Sequence, residues 1–158
     1  MKALLVVLAV AALVACGSSP TADAPPAAPT AAPTPTMDAA IARLKEQLPN
    51  DDVVAREITF DSGALAALTI TYEANITKLP PAGQQGVDDL KVEIERSSLI
   101  ICKRVAELLD AGLPIERVNL VLQVSGHNVQ SLRIGAKAMQ QWAHGAMSDG
   151  QFMDTWTK

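Results

Sequence analysis

Two cysteines, two histidines, one serine in a turn-like sequence and two pairs of adjacent aspartates are the groups in this chain with chemistry to offer. Cys16 closes the run Leu13-Val14-Ala15-Cys16-Gly17, directly after an apolar stretch at the amino terminus. Cys102 shares a helical arc with Ser98, Val105 and Leu109, with no base beside it in sequence, and reads as a small core residue rather than a nucleophile. His127 and His144 have no partners at the spacings that zinc sites use, so no metal is expected. His144 beside Gly145 suits a helix carboxyl end, where a cation meets the negative pole of the dipole; His127 reads as a solvated turn residue. Val124-Ser125-Gly126-His127 lacks the flanking glycines of a nucleophile elbow. Asp51-Asp52 and Asp88-Asp89 are adjacent residues, which on a helix point about 100° apart, so neither pair is built to share a proton. There is no glycine-rich phosphate loop and no dinucleotide fingerprint, and no cofactor is expected.

The segment before Cys16 has the parts of an export signal. Lys2 supplies the positive end, Ala3 to Ala12 an apolar run, and small residues follow. Crossing a bilayer takes roughly 20 apolar residues, and this run stops at Gly17-Ser18-Ser19-Pro20. Leu13-Val14-Ala15-Cys16 resembles the lipobox of bacterial lipoproteins. The resemblance implies cleavage before Cys16, diacylation of its thiol and acylation of the new amino group. It covers residues 1–15, the cleaved signal, and the first mature residues. In a host with two membranes the same resemblance favours the outer membrane, facing the periplasm, because Gly17 is not the aspartate that favours inner-membrane retention. Two or more acyl chains anchor stably where one holds only marginally. The thiol of Cys16 would be consumed, leaving Cys102 without a disulfide partner. Asn75-Ile76-Thr77 has the form of a glycosylation acceptor, which a bacterial lipoprotein would not use.

Residues 16–36 are a different regime, with prolines at 20, 25, 26, 29, 33 and 35 and almost no apolar residue larger than alanine. Such a stretch buries too little surface to offset chain entropy, and proline biases it to an extended form. As a spacer it reaches up to roughly 60 Å. Residues 37–158 are enough for one domain with its own core. The net charge of −4 and an aromatic content of 3% argue against nucleic acid as a partner.

The pattern within that domain predicts eight elements. Ile41, Leu44 and Leu48 mark a helix over Asp38 to Leu48. Val54, Ile58 and Phe60 mark one face of a strand, with Arg56 on that same face. Leu68, Ile70 and Tyr72 mark a second strand, with Thr69 and Thr71 opposite. Pro80-Pro81-Ala82-Gly83 breaks the chain before a long helix from Gly86 to Ala111, which Gly112 and Pro114 stop. Val118, Leu120, Leu122 and Val124 form a third strand, Ser125-Gly126-His127-Asn128 a turn, and Leu132 and Ile134 a fourth strand. Two helices follow, Ala136 to His144 and Asp149 to Trp156, the second with capping-box spacing between Ser148 and Gln151.

The order α-β-β-α-β-β-α-α predicts an α+β domain, a small two-layer sandwich with helices over one face of a four-stranded, mainly antiparallel sheet. Its rival has a parallel central pair, with the long helix as the crossover. Trp142, Phe152 and Trp156 hold most of the large aromatics and fit a core, or a partner surface if Trp156 is exposed. The functional expectation is a membrane-tethered envelope lipoprotein, a binding or structural module with no enzymatic activity, possessing the membrane and an envelope protein as partners. An inhibitor or immunity-type protein that binds a secreted or periplasmic enzyme is the alternative. A hydrolase with an unrecognised site comes third.

Overall fold

The computed structural model describes residues 35–73 and 84–158. Cys16, nearly all of the proline-rich segment, the Asn75-Ile76-Thr77 triplet and the Pro80-Pro81-Ala82-Gly83 break lie outside the described residues.

Helix α1 runs from Met37 to Asn50 and is started by Thr36, whose hydroxyl accepts from the Ala39 N–H at 3.3 Å. Ala40, Leu44 and Leu48 recur every four residues and are the ones it buries. Strand β1 spans Val54–Asp61, and β2 spans Ala67–Glu73. The turn between them is held by the Asp61 carboxylate, which accepts from the Gly63 N–H at 2.9 Å. Helix α2 is the long one, Gln84–Asp110. It ends where expected: Gly112 adopts a φ of 85°, and the N–H groups of Gly112 and Leu113 bond back to Leu109 and Leu108. That is a Schellman stop, which a residue with a Cβ would strain.

Strand β3, Arg117–Val124, and strand β4, His127–Gly135, form the second hairpin. Its turn is only Ser125-Gly126, both with positive φ, the twist-matched geometry of a two-residue hairpin. This corrects the four-residue turn expected from the sequence. His127 is the first residue of β4 and pairs with Val124. Helices α3, Ala136–Ala143, and α4, Asp149–Met153, complete the domain. The Ser148–Gln151 capping box forms as predicted. Helix α4 stops at Met153, so Trp156 sits in a tail rather than in the helix, and Thr157 of that tail bridges to Arg133 on the outer edge of β4.

The four strands lie in the order β1-β2-β3-β4. Both hairpins are antiparallel, and the central pair β2–β3 is parallel. The domain is therefore the expected α+β fold with a mixed sheet, and the centre follows the crossover topology. A parallel pair needs a long connection, which α2 supplies. One face of the sheet carries Ile58, Leu68, Ile70, Tyr72, Val118, Leu120, Leu122, Leu132 and Ile134, all buried in one cluster with Leu44 and Leu48 of α1 and Ile101, Cys102 and Val105 of α2. Each fully buried side chain of this size contributes about 1.5–3 kcal/mol.

Arg56 resolves the conflict seen in the β1 sequence. The pairing runs Ala55↔Tyr72 and then Glu57↔Thr71, so Arg56 is an extra residue, a β-bulge. The bulge moves Ala55, not Val54, to the inner side with Ile58 and Phe60, and leaves Val54 exposed. Arg56 turns outward to an ion pair with Glu73. Strand β4 has a matching irregularity, where Leu122↔Gln130 is followed by Gln123↔Asn128. Both edge strands are thus kinked, a device that discourages pairing with other chains.

Candidate functional site

The cluster of large aromatics lies at the corner formed by α3, α4 and the tail. Phe152 is completely buried, stacked on Trp142 at 4.6 Å between ring centres and met edge-on by Trp156 at 5.6 Å. Of the three residues considered as a partner surface, Phe152 does not reach solvent. Trp142 and Trp156 are half-buried. The Trp142 indole N–H donates to the Asp149 carboxylate at 2.7 Å. The Trp156 indole N–H is buried and has no hydrogen-bond partner.

Trp156 forms one wall of a groove of about 480 Å³. Leu90 and Ile94 of α2, Leu132 of β4 and Met153 of α4 supply its apolar lining, with exposed Lys91 and Lys158 at the rim. Val87, Leu90, Lys91, Ile94 and Glu95 recur every three or four residues, so α2 offers the groove a ridge of the kind that another helix packs against. Val87, at the outer end of this ridge, is exposed. The groove exists because the helical layer thins here. Beyond α2 the layer holds only the eight residues of α3 and the five of α4. Leu90 and Ile94 also pack partly against the core, so helical spacing alone does not separate the groove side of α2 from its buried side.

The sequence's other candidates occupy separate places. Cys102 is fully buried, and burial pushes its thiol well above the ordinary range, so it is held as a neutral thiol. Beside it on α2, Ser98 donates to the Ile94 carbonyl at 2.8 Å and lies 2.8 Å from the Tyr72 hydroxyl. Because the single Ser98 proton is committed to Ile94, the Tyr72 O–H donates to Ser98. Ser125 and His127 lie at the far hairpin, both away from Cys102's buried position. His144 caps α3, and its Nε2 lies 3.0 Å from the Asp110 carboxylate at the end of α2. That bond, the largest influence on Asp110, holds its carboxyl below the usual range. Asp51 accepts two hydrogen bonds from Arg104, at 2.8 and 3.1 Å, and this pairing likewise lowers its carboxyl. Neither partnership was legible in the sequence, because each joins residues more than 30 positions apart. Among the described residues there is no group of three or more His, Cys, Asp or Glu placed to hold a metal ion. No helix among them is long and apolar enough to cross a membrane.

The domain is thus an α+β sandwich with an apolar groove at its short-helix corner. No family model, curated protein or solved structure matches the chain.

Proposed function

We propose that this chain is a bacterial envelope lipoprotein whose domain binds rather than catalyses. Acyl chains on Cys16 hold it to a membrane, the outer one in a host that has two. The proline-rich residues up to 36 space the domain from the lipid. The groove beside Trp156 takes an amphipathic helix of a neighbouring envelope protein.

The observation that carries the binding role is the groove itself, apolar along its floor and walled by Trp156. A helix suits the site because α2 supplies a ridge at helical spacing and because the helical layer has space beside it. Lys158 at the rim favours a segment with an acidic end, while Lys91 is already paired with Glu95 of the same helix.

The test uses the full chain in its own membrane, with a photoreactive side chain at Val87 in the groove or at Val92, exposed on the same helix but outside it. Adducts from Val87, absent from Val92, that map by mass spectrometry to an amphipathic helical segment of one envelope protein support the reading. Equal adducts from both positions, or adducts only to lipid, overturn the groove assignment. The anchor is tested separately by Cys16→Ser, which should lose fatty-acid labelling and leave the membrane fraction; a variant that stays labelled overturns it.

A further inference from the structure

A second concavity lies on the other side of the tail. Along residues 153–158, Met153, Trp156 and Lys158 face the apolar groove, whereas Thr155 and Thr157 line a polar pocket of about 470 Å³ with Leu65, Glu116, Arg117 and Arg133. Val118, Leu120, Leu132 and Ile134 point into the core, so alternation along β3 and β4 places Arg117, Asn119 and Arg133 on the face away from the helices. Arg117 pairs directly with Gly135 and Asn119 with Arg133, which makes the two arginines diagonal neighbours on adjacent strands. Gly135 leaves the space opposite Arg117 open: a Cβ there would meet nothing within 4 Å.

What distinguishes these two arginines is their lack of counterions. Arg43, Arg56, Arg96 and Arg104 each form an ion pair with Glu or Asp. Arg117 and Arg133, the remaining arginines of the chain, have none among the described residues, although Glu116 lines the same pocket. The Arg117 Nε–H is also buried without a hydrogen-bond acceptor. Like charges set this close on neighbouring strands repel, and a buried guanidinium donor left without a partner is costly. An anion that accepts from both guanidinium groups relieves the repulsion between them.

We infer that Arg117 and Arg133 form a binding site for an oxyanion, a phosphate or carboxylate group carried by a ligand that reaches the open face of the sheet. The guanidinium fork matches two oxygens of such a group, giving parallel charge-assisted hydrogen bonds. Thr155 and Thr157 do not compete as donors, because their hydroxyls donate to the Phe152 and Arg133 carbonyls. The site is independent of the groove, and either assignment can fail alone.

The test is nuclear magnetic resonance of the arginine Nε–H groups of the full chain, held in micelles of a non-ionic detergent. Inorganic phosphate, acetate and vesicles of phosphatidic acid are added in turn, with phosphatidylcholine vesicles as the neutral control. A saturable shift at the Arg117 Nε–H, weakened about tenfold or more in Arg133→Lys but unchanged in Arg43→Lys, is the expected result, and in Arg117→Lys the same weakening is read at the Arg133 Nε–H, since lysine keeps the charge and loses the fork. Saturation by phosphate or acetate identifies a soluble oxyanion, and saturation only by phosphatidic acid identifies a lipid headgroup. No saturable response to any of the three overturns the site, as does equal weakening in Arg43→Lys.

Discussion

Replacing Tyr72 by phenylalanine removes one oxygen atom from the middle of the core, and its effect should change sign with pH. Tyr72 is fully buried beneath α2 and donates its hydroxyl proton to Ser98. At neutral pH the variant loses that bond and leaves the Ser98 oxygen short of a donor, a cost of about 1 kcal/mol. Burial pushes the Tyr72 phenol up to about 12 from 10.0, and the Ser98 hydroxyl, able to turn its proton toward a phenolate, opposes this only in part. The folded chain therefore holds the phenolic proton more tightly than the unfolded chain does. That stabilisation is complete below about pH 10 and is lost as pH rises through about 12. A gap of about two pH units corresponds to up to about 3 kcal/mol. The wild type should thus be the more stable form at pH 7 and the less stable one above about pH 11. Urea unfolding followed by far-ultraviolet circular dichroism, repeated across this range for both chains, measures the difference. Cys102 is common to both and cancels. The chain has one tyrosine, so tyrosinate absorbance reports Tyr72 alone. A folded-state titration centred near pH 10, or stability curves that stay parallel from pH 7 to 12, would refute the reasoning.

Phe152→Ala removes the ring held between two indoles, should cost about 3–5 kcal/mol, and should shift tryptophan emission to the red as both rings gain water; unchanged emission would mean that the corner is not packed as described. Asp51→Asn breaks the two-bond tie between the end of α1 and Arg104, at a cost of about 1 kcal/mol near neutrality because both groups are partly exposed. The lowered Asp51 carboxyl adds stability above its unfolded value near 4 that is lost as pH falls through the lower folded value, so acid unfolding curves of the variant should be flatter there; identical acid profiles would count against the tie.

Much of the fold could be read residue by residue. Leu68, Ile70 and Tyr72 alternate with threonines, and the strand buries them on one side as that pattern demands. Gly112 stops α2 because its backbone reaches a conformation that other residues resist. Ser148 and Gln151 cap α4 through atoms three residues apart. These are local agreements between a side chain and its own stretch of backbone. The readings that changed each depended on a partner elsewhere in the chain. Arg56 falls on the inner face of β1 by strict alternation, and pairing with β2 gives it a bulge to occupy instead. His127 moved from turn to strand because Ser125 and Gly126 alone complete the reversal. Trp156 left its helix because Thr157 found Arg133.

The candidate sites divide along the same line. The lipobox resemblance of Cys16 rests on a run of five residues, and the spacer role proposed for the proline-rich stretch after it rests on composition. Alternation and helical spacing likewise determined the element order and the inner face of the sheet, since both follow from the fixed periods of strand and helix. The tertiary structure alone decided that β2 and β3 lie side by side in parallel, which puts one hairpin on each side of the centre and leaves β4 at an edge. That placement lets the tail dock on β4 and Trp156 wall the groove. No local pattern encodes such meetings, because they are settled by which distant apolar faces bury one another best.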